Sequence, residues 1–447
     1  MNIQSLATEV LGNILSFVRN DRNGQEAIQQ CRLVSRCFNN AASPFLFPEI
    51  SVYLTSKSFA RLEDICYHPI FSKSVQKVII ITSYYETELA CDRPLFMREA
   101  KARLLRHVES LERLRSYQNK YAHTQEQYER LSDMAWGTSP EFDQLFNDEV
   151  DESSPTPVQK LFLKLYDIYK QLYDDQQRLR ESDNHISRLC AALSSLSNLV
   201  SLELNDVKNL GGMEHLDAAD FVHTGYDDAV LQHFSPIIRK SRWCGSFYTI
   251  HTTTPPVEML GLLCSQLAEK ELKPKTVHLR LVPPPSMQAW QLSPAQQTGV
   301  EALVSQTTKL TITVDFDARS FELKECPRHE MLALFSITRS FLSARNLEHM
   351  RIEFPGYPPL DRRPTVSLTD VLPLDFTWPQ LKSLHLHNQP FTVPEIESMV
   401  TWRCGKVRTI DLQACWLLAG EWAAVEHIIR LYRYIEKHSI KYSKGGD

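Results

Sequence analysis

Hydrophobic positions recur along the chain with two different periods, and the places where the period changes divide it into regions. Near the start the spacing is helical. Val10, Leu11, Ile14, Leu15 and Val18 form one apolar stripe, with Glu9 in the first turn, where a carboxylate suits the helix dipole. The run Asn20-Asp21-Arg22-Asn23-Gly24 has a turn composition and ends this helix. A second helix is predicted from about Gln25 to Leu33, and a third from Ser35 to Ala42, stopped by Pro44. Helices this short bury little area on their own, so the unit 1–47 needs a partner, or the rest of the chain, to cover its apolar faces.

Residues 75–81 read as a buried strand, Val-Gln-Lys-Val-Ile-Ile-Ile. Helical spacing then returns from Pro94 to about Trp136, with Leu104, Leu111, Leu114, Tyr121 and Tyr128 along one seam. It recurs from Val158 to Leu196, with Leu161, Leu165, Ile168, Leu172, Leu179, Ile186, Leu189 and Leu193. Two long amphipathic helices joined by a loop predict an antiparallel hairpin. The joining loop 137–157 carries Glu141, Asp143, Asp148, Glu149, Asp151 and Glu152 without Lys or Arg, which predicts a disordered acidic segment.

Beyond residue 196 a short phrase repeats: Asn198-Leu-Val-Ser-Leu-Glu-Leu204, Asn346-Leu-Glu-His-Met-Arg-Ile352, Gln380-Leu-Lys-Ser-Leu-His-Leu386 and Lys406-Val-Arg-Thr-Ile-Asp-Leu412. Looser copies are Val277–Leu281 and Leu310–Val314, and helix-like stretches such as Met331–Leu342 and Pro394–Trp402 lie between copies. The aliphatic pattern L-x-x-L-x-L at a strand, followed by a helix, is the signature of leucine-rich repeats. The predicted class is therefore α/β: an N-terminal three-helix unit, a leucine-rich-repeat-like α/β solenoid and an inserted long helical hairpin. The boundaries read 1–47, a first strand and helix unit 48–90, the helical insertion 91–196, the repeat region 197–436 and a flexible tail 437–447.

Alternation along the repeat strands turns Ser201, Glu203 and Asn205 outward if Leu202 and Leu204 point in. The same rule exposes His278 and Arg280; Thr311, Thr313 and Asp315; His349, Arg351 and Glu353; Ser383, His385 and His387; and Thr409, Asp411 and Gln413. From this set Arg280, Arg351, Glu353, His385, His387 and Asp411 are the candidates for contacting a charged or polar protein partner through charge-assisted hydrogen bonds.

Composition narrows the functional classes. The chain has 447 residues, 49 Lys+Arg against 54 Asp+Glu and a formal net charge of −5, so it has no basic excess for neutralising phosphates, and no nucleic-acid partner is expected. The longest aliphatic run, Val78–Ile81, is far below the ~18 residues of a membrane helix, and no membrane partner is expected. Ten scattered cysteines without CxxC spacing, no glycosylation sequon and no secretory leader pattern predict free thiols in the cytoplasm or nucleus. Nucleophile-elbow, P-loop, dinucleotide and HExxH motifs are absent from the sequence. His385 and His387 share a strand face and could share a metal, but two polar residues on a solvated face is the plainer reading. No catalytic residue, metal or cofactor is expected.

The N-terminal residues carry a resemblance. Leu6, Glu9, Val10, Leu11, Ile14, Leu15, Phe17 and Val18, then Cys31, Arg32, Val34, Ser35, Arg36 and Phe38, resemble in order and spacing the two blocks of an F-box. Ala7 stands where the family usually has proline; alanine is a strong helix former, so the helix survives. The continuations Ser43-Pro-Phe-Leu-Phe47 and Ser58-Phe-Ala-Arg-Leu62 are similar to F-box proteins of filamentous fungi. The resemblance implies a unit that docks on a Skp-type adaptor of a cullin ubiquitin ligase, through Leu6, Ala7, Glu9, Leu11, Ile14, Leu15, Val18, Val34 and Phe38. It also implies a C-terminal region that recruits a protein substrate, with no chemistry of its own. The alternative it leaves is an F-box scaffold acting without ubiquitylation.

Overall fold

The computed structural model describes residues 6–21, 23–117, 155–182, 184–206, 237–238, 240–243, 255–315, 328–354, 367–372, 376–404, 406–441 and 444–445. The chain makes two compact units. One comprises Met1–Ile81, Asp183–Asn205 and Val257–Asp447; the other comprises Thr82–Ser182 and Asp206–Pro256.

The first unit begins with helices α1 (Thr8–Arg19), α2 (Gly24–Val34) and α3 (Arg36–Ala42). Ser35 caps α3 by accepting from the Phe38 amide at 3.3 Å, which fixes the sharp turn out of α2. Gly24 is required where α2 starts, because a Cβ there would stand 2.2 Å from the Arg19 carbonyl oxygen. Leu11, Leu15, Ile28, Phe38, Ala41, Ala42 and Leu46 close the core of these helices.

Nine strands then form one parallel sheet: β1 (Glu49–Tyr53), β2 (Lys77–Ile81), β3 (Ser201–Asn205), β4 (Thr276–Leu281), β5 (Lys309–Val314), β6 (His349–Glu353), β7 (Ser383–His387), β9 (Thr409–Gln413) and β11 (Lys437–Lys441). Short strands β8 (Pro390–Thr392), β10 (Trp416–Ala419) and β12 (Lys444–Gly445) follow the last three and pair into a second parallel sheet. In the large sheet the strands lie side by side in chain order. Each connection is therefore a crossover to the adjacent strand, most of them through a helix, such as Ser56–Tyr67, Glu258–Glu269, Pro294–Val304 and Arg328–Leu342.

The register is strict. One row runs Ile50, Val78, Leu202, Val277, Leu310, Met350, Leu384, Ile410, and a second runs Val52, Ile80, Leu204, Leu279, Ile312, Ile352, Leu386, Leu412; all are buried. The L-x-x-L-x-L phrase is thus the inward face of a strand. At the edge the first row ends in His438, which is exposed. A polar side chain in place of leucine closes the apolar row without leaving it open to water.

Asn388 (φ 54°) and Ala414 (φ 50°) turn the chain sharply out of β7 and β9. Gln389 and Cys415 then stand at matching positions and are fully buried. The Cys415 thiol points at the carbonyl oxygens of Leu386 and Gln413, at 3.4 and 3.5 Å, and burial pushes it up to about 12. Among the described residues Cys66, Cys190, Cys264 and Cys415 are free and buried, whereas Cys37 and Cys91 are free and exposed.

The second unit contains helices Thr87–Cys91, Arg93–Tyr117 and Pro157–Glu181. Phe96, Met97, Leu104, Val108, Leu161, Phe162, Leu165 and Tyr169 pack between them. Tyr166 donates to the Ala90 carbonyl and Tyr173 to Thr87, so Pro157–Glu181 runs against the direction of residues 87–90. At its centre Arg103 meets Glu99 at 2.8 Å and donates to the Ile237 carbonyl at 3.0 Å, while the Ser241 hydroxyl donates to Glu86.

The structure corrects several boundaries. The insertion is not 91–196: Pro157–Glu181 stops at Ser182, and the separate helix His185–Ser194 belongs to the sheet unit. Ser-Asp-Asn at 182–184 are residues that compete for backbone hydrogen bonds and break the helix there. Residues 206–256, assigned to the repeats by sequence, join the helical unit; Ser241 pairs with Tyr84, and Trp243 donates to the Thr82 carbonyl at 2.9 Å. Such pairings lie far apart in sequence and leave no periodic trace. The tail 437–447 is not flexible throughout, since Lys437–Lys441 bonds to β9 along its length. Most of the loop 137–157, with Tyr121 and Tyr128, lies outside the described residues.

Candidate functional site

Two surfaces of the sheet-containing unit gather the residues singled out from the sequence. The first is on α1 and α2. Leu11, Leu15 and Phe38, expected to meet an adaptor, are instead buried in the core of these helices, Leu15 to 1% exposure. Val18 is half-buried and packs on that core; Leu6 is half-buried; Ala7 sits exposed at the N-cap position of α1, and Glu9 is exposed in its first turn. Ile14 and Val34 are exposed, together with Val10, Phe17 and Leu33, the last two at 80%. Val10, Ile14 and Phe17 follow i, i+4, i+7 spacing and so share one side of α1. Of the twelve large hydrophobic side chains left exposed among the described residues, five lie between Val10 and Val34. Apolar residues scattered singly need no explanation, but this density on one small unit does. The one apolar stripe read from the spacing is divided by packing: Leu11, Leu15 and Val18 turn to the core of α1–α3, while Val10 and Ile14, with Phe17, stay outside it.

The second surface is the sheet face opposite the leucine rows. Its central row reads Glu203, His278, Thr311, Arg351, His385, Asp411, and the row above reads Asn205, Arg280, Thr313, Glu353, His387, Gln413. All six candidates, Arg280, Arg351, Glu353, His385, His387 and Asp411, therefore fall in two neighbouring rows. Toward β1 and β2 the same rows turn apolar, and Tyr53, Ile79 and Ile81 form a small buried cluster.

Side chains on this face bond both along a strand and across to the next. Arg351 Nε donates to Glu353 at 2.7 Å, and Thr313 donates to the other Glu353 oxygen at 2.9 Å. Burial pushes the Glu353 carboxyl up, but these two hydrogen bonds and the Arg351 charge hold it below the usual carboxylate range. Glu203 behaves alike: burial raises it, and Lys77 at 2.8 Å with Asn205 brings it below the ordinary value. His385 Nδ1 lies 3.2 Å from Asp411 Oδ2, which also accepts from Gln413 at 2.8 Å. The His278 imidazole is held down, mainly by burial, with Lys309 and Lys77 adding to it against Glu203.

No family model matches the chain. Comparison with curated proteins gives no match either. Function therefore has to be argued from the two surfaces. Among the described residues no group of three His, Cys, Asp or Glu side chains could hold a metal, and no helix is long and apolar enough to cross a membrane. The apolar surface on α1 and α2 can dock a protein, and the polar face can bind one by hydrogen bonds. Val10, Phe17 and Leu33 are the residues of this surface that sequence reasoning did not select as contacts; Val10 and Phe17 stood within the motif, but periodicity could not tell their side of the helix from that of Leu15.

Proposed function

We propose that the chain is an F-box substrate receptor of an SCF-type ubiquitin ligase, its α1–α3 unit docking on a Skp-type adaptor and its sheet face capturing a protein substrate. The observation that carries the reading is the apolar surface of Val10, Ile14, Phe17, Leu33 and Val34, left uncovered on a unit whose own core is already closed. The F-box-like order of residues 6–38 supports the same partner. The parallel strands in chain order, with L-x-x-L-x-L on their inward side and Gln389 and Cys415 in the position that follows, support a leucine-rich-repeat-like solenoid. Such arrays offer an extended surface for another protein. The receptor performs no chemistry. It raises the local concentration of the substrate beside the ubiquitin-charged enzyme.

The test is capture of a purified Skp-type adaptor by the full chain. Wild type retains it, and Phe17→Asp with Leu33→Asp loses it while melting at the wild-type temperature. Failure of the wild type to capture the adaptor, or equal capture by the variant, removes the proposal. The docking surface then belongs to another partner.

A further inference from the structure

The sheet face carries both signs of charge, but the two signs are not equally available. Glu49 and Glu203 are both held by Lys77, at 3.1 and 2.8 Å. Glu353 is held by Arg351 and Thr313, and Asp411 by His385 and Gln413. The remaining Asp411 oxygen is closed off from solvent. Cations are left over. Among the described residues the Arg280 and Lys309 side chains lie on this face without a side-chain hydrogen bond or ion pair, beside the imidazole donors of His349 and His387, against a single such acid, Asp315, just past β5. Arg280 and His349 are exposed.

From this imbalance we infer that the face binds a carboxylate-rich, extended segment of its protein partner. Lys309 and His349 pair in register on adjacent strands. Arg280 and His387 share the upper row three strands apart, which at ~4.8 Å per strand is about 14 Å. An extended chain repeats its side-chain direction every ~6.8 Å, so acidic residues four apart reach both ends of that row. Bulk charge does not explain such a preference, because the whole chain has a formal net charge of −5 and repels acids at long range. The attraction is local. The inference rests on the sheet face being the capture surface and is independent of the adaptor.

The experiment titrates the full chain with a fluorescent peptide alternating Glu and Ser, and with its Gln and Lys counterparts, following anisotropy. The Glu peptide binds best and weakens as salt rises to ~0.15 M, where screening sets in over about 8 Å. Arg280→Gln with Lys309→Gln loses about tenfold in affinity, as removal of charge-assisted contacts does. Arg430→Gln, on the helix Trp422–Leu431 and outside the sheet face, leaves the affinity unchanged. A Glu peptide that binds no better than the Gln or Lys peptide overturns the inference, as does an Arg430→Gln loss equal to that of the double variant. Adaptor capture is measured on the same proteins. If it persists while acidic binding is absent, the acidic-segment inference alone fails. If it is lost while acidic binding persists, the adaptor reading alone fails.

Discussion

Leu15 and Phe17 are two residues apart in one helix and have opposite fates. Leu15 is buried to 1% and Phe17 is exposed to 80%. Leu15→Asp puts a charge into the closed core of α1–α3, a cost of about 3–5 kcal/mol, and thermal melting is expected to show that unit lost. Phe17→Asp changes stability by no more than about 0.5 kcal/mol in the same melt, because its side chain stands largely in solvent. The carboxyls on the sheet face make a second prediction. Glu353 is held below its ordinary value of 4.5 in the folded protein. Its contribution to stability is therefore fully present above that value and is lost as pH falls through the lower folded value. Glu353→Gln is expected to lower the melting temperature at neutral pH and to flatten its decline below about pH 4.5. An acid limb identical to wild type would show that the Arg351 and Thr313 bonds contribute nothing.

At the scale of elements, the exits from β7 and β9 share a left-handed turn. Ala414 holds φ 50°, a left-handed conformation that costs a residue with a Cβ roughly 1–2 kcal/mol. The strain is held by backbone bonds on either side: the Ala414 amide donates to Lys441 and the Trp416 amide to Gln389. Ala414→Gly is expected to raise the unfolding free energy read by urea titration by a few tenths to about 1 kcal/mol, and Ala414→Val to lower it. Opposite signs would mean that the turn relaxes in solution. Asn388 occupies the equivalent turn and is one of the few residue types that enters this conformation readily.

At the scale of the whole molecule, the sheet grows by adding one strand and its connection at a time, so its ends matter. β11 covers the backbone edge of β9 through residues Lys437–Lys441. Its exposed His438 and flanking lysines discourage a further strand. Removing residues 437–447 uncovers the β9 edge beside Ile410 and Leu412. Light scattering is expected to show species heavier than the full-length protein at equal concentration. An unchanged mass would mean that β9 is itself a tolerable edge.

The sequence alone determined the parts with short-range causes. Helical spacing in residues 8–42 and 157–181, the Val78–Ile81 strand and the strands at 201, 349, 383 and 409 follow from which side chains recur at 3.6 or 2 residues. The placing of Arg280, Arg351, Glu353, His385, His387 and Asp411 on one face was legible for the same reason, because alternation needs no knowledge of neighbours. Only tertiary structure decided which part of the apolar stripe of α1 is core and which is surface, because both have the same period and the choice depends on where α2 and α3 land. It also decided that 206–256 joins the helical unit, since the pairing of Ser241 with Tyr84 and of Arg103 with Ile237 spans well over a hundred residues. The selective availability of the cations arises in the same way. Residues on adjacent strands must come into register before Thr313 can satisfy Glu353 and Lys77 can satisfy Glu203 while Arg280 is left without a partner, and a linear pattern carries no information about that register.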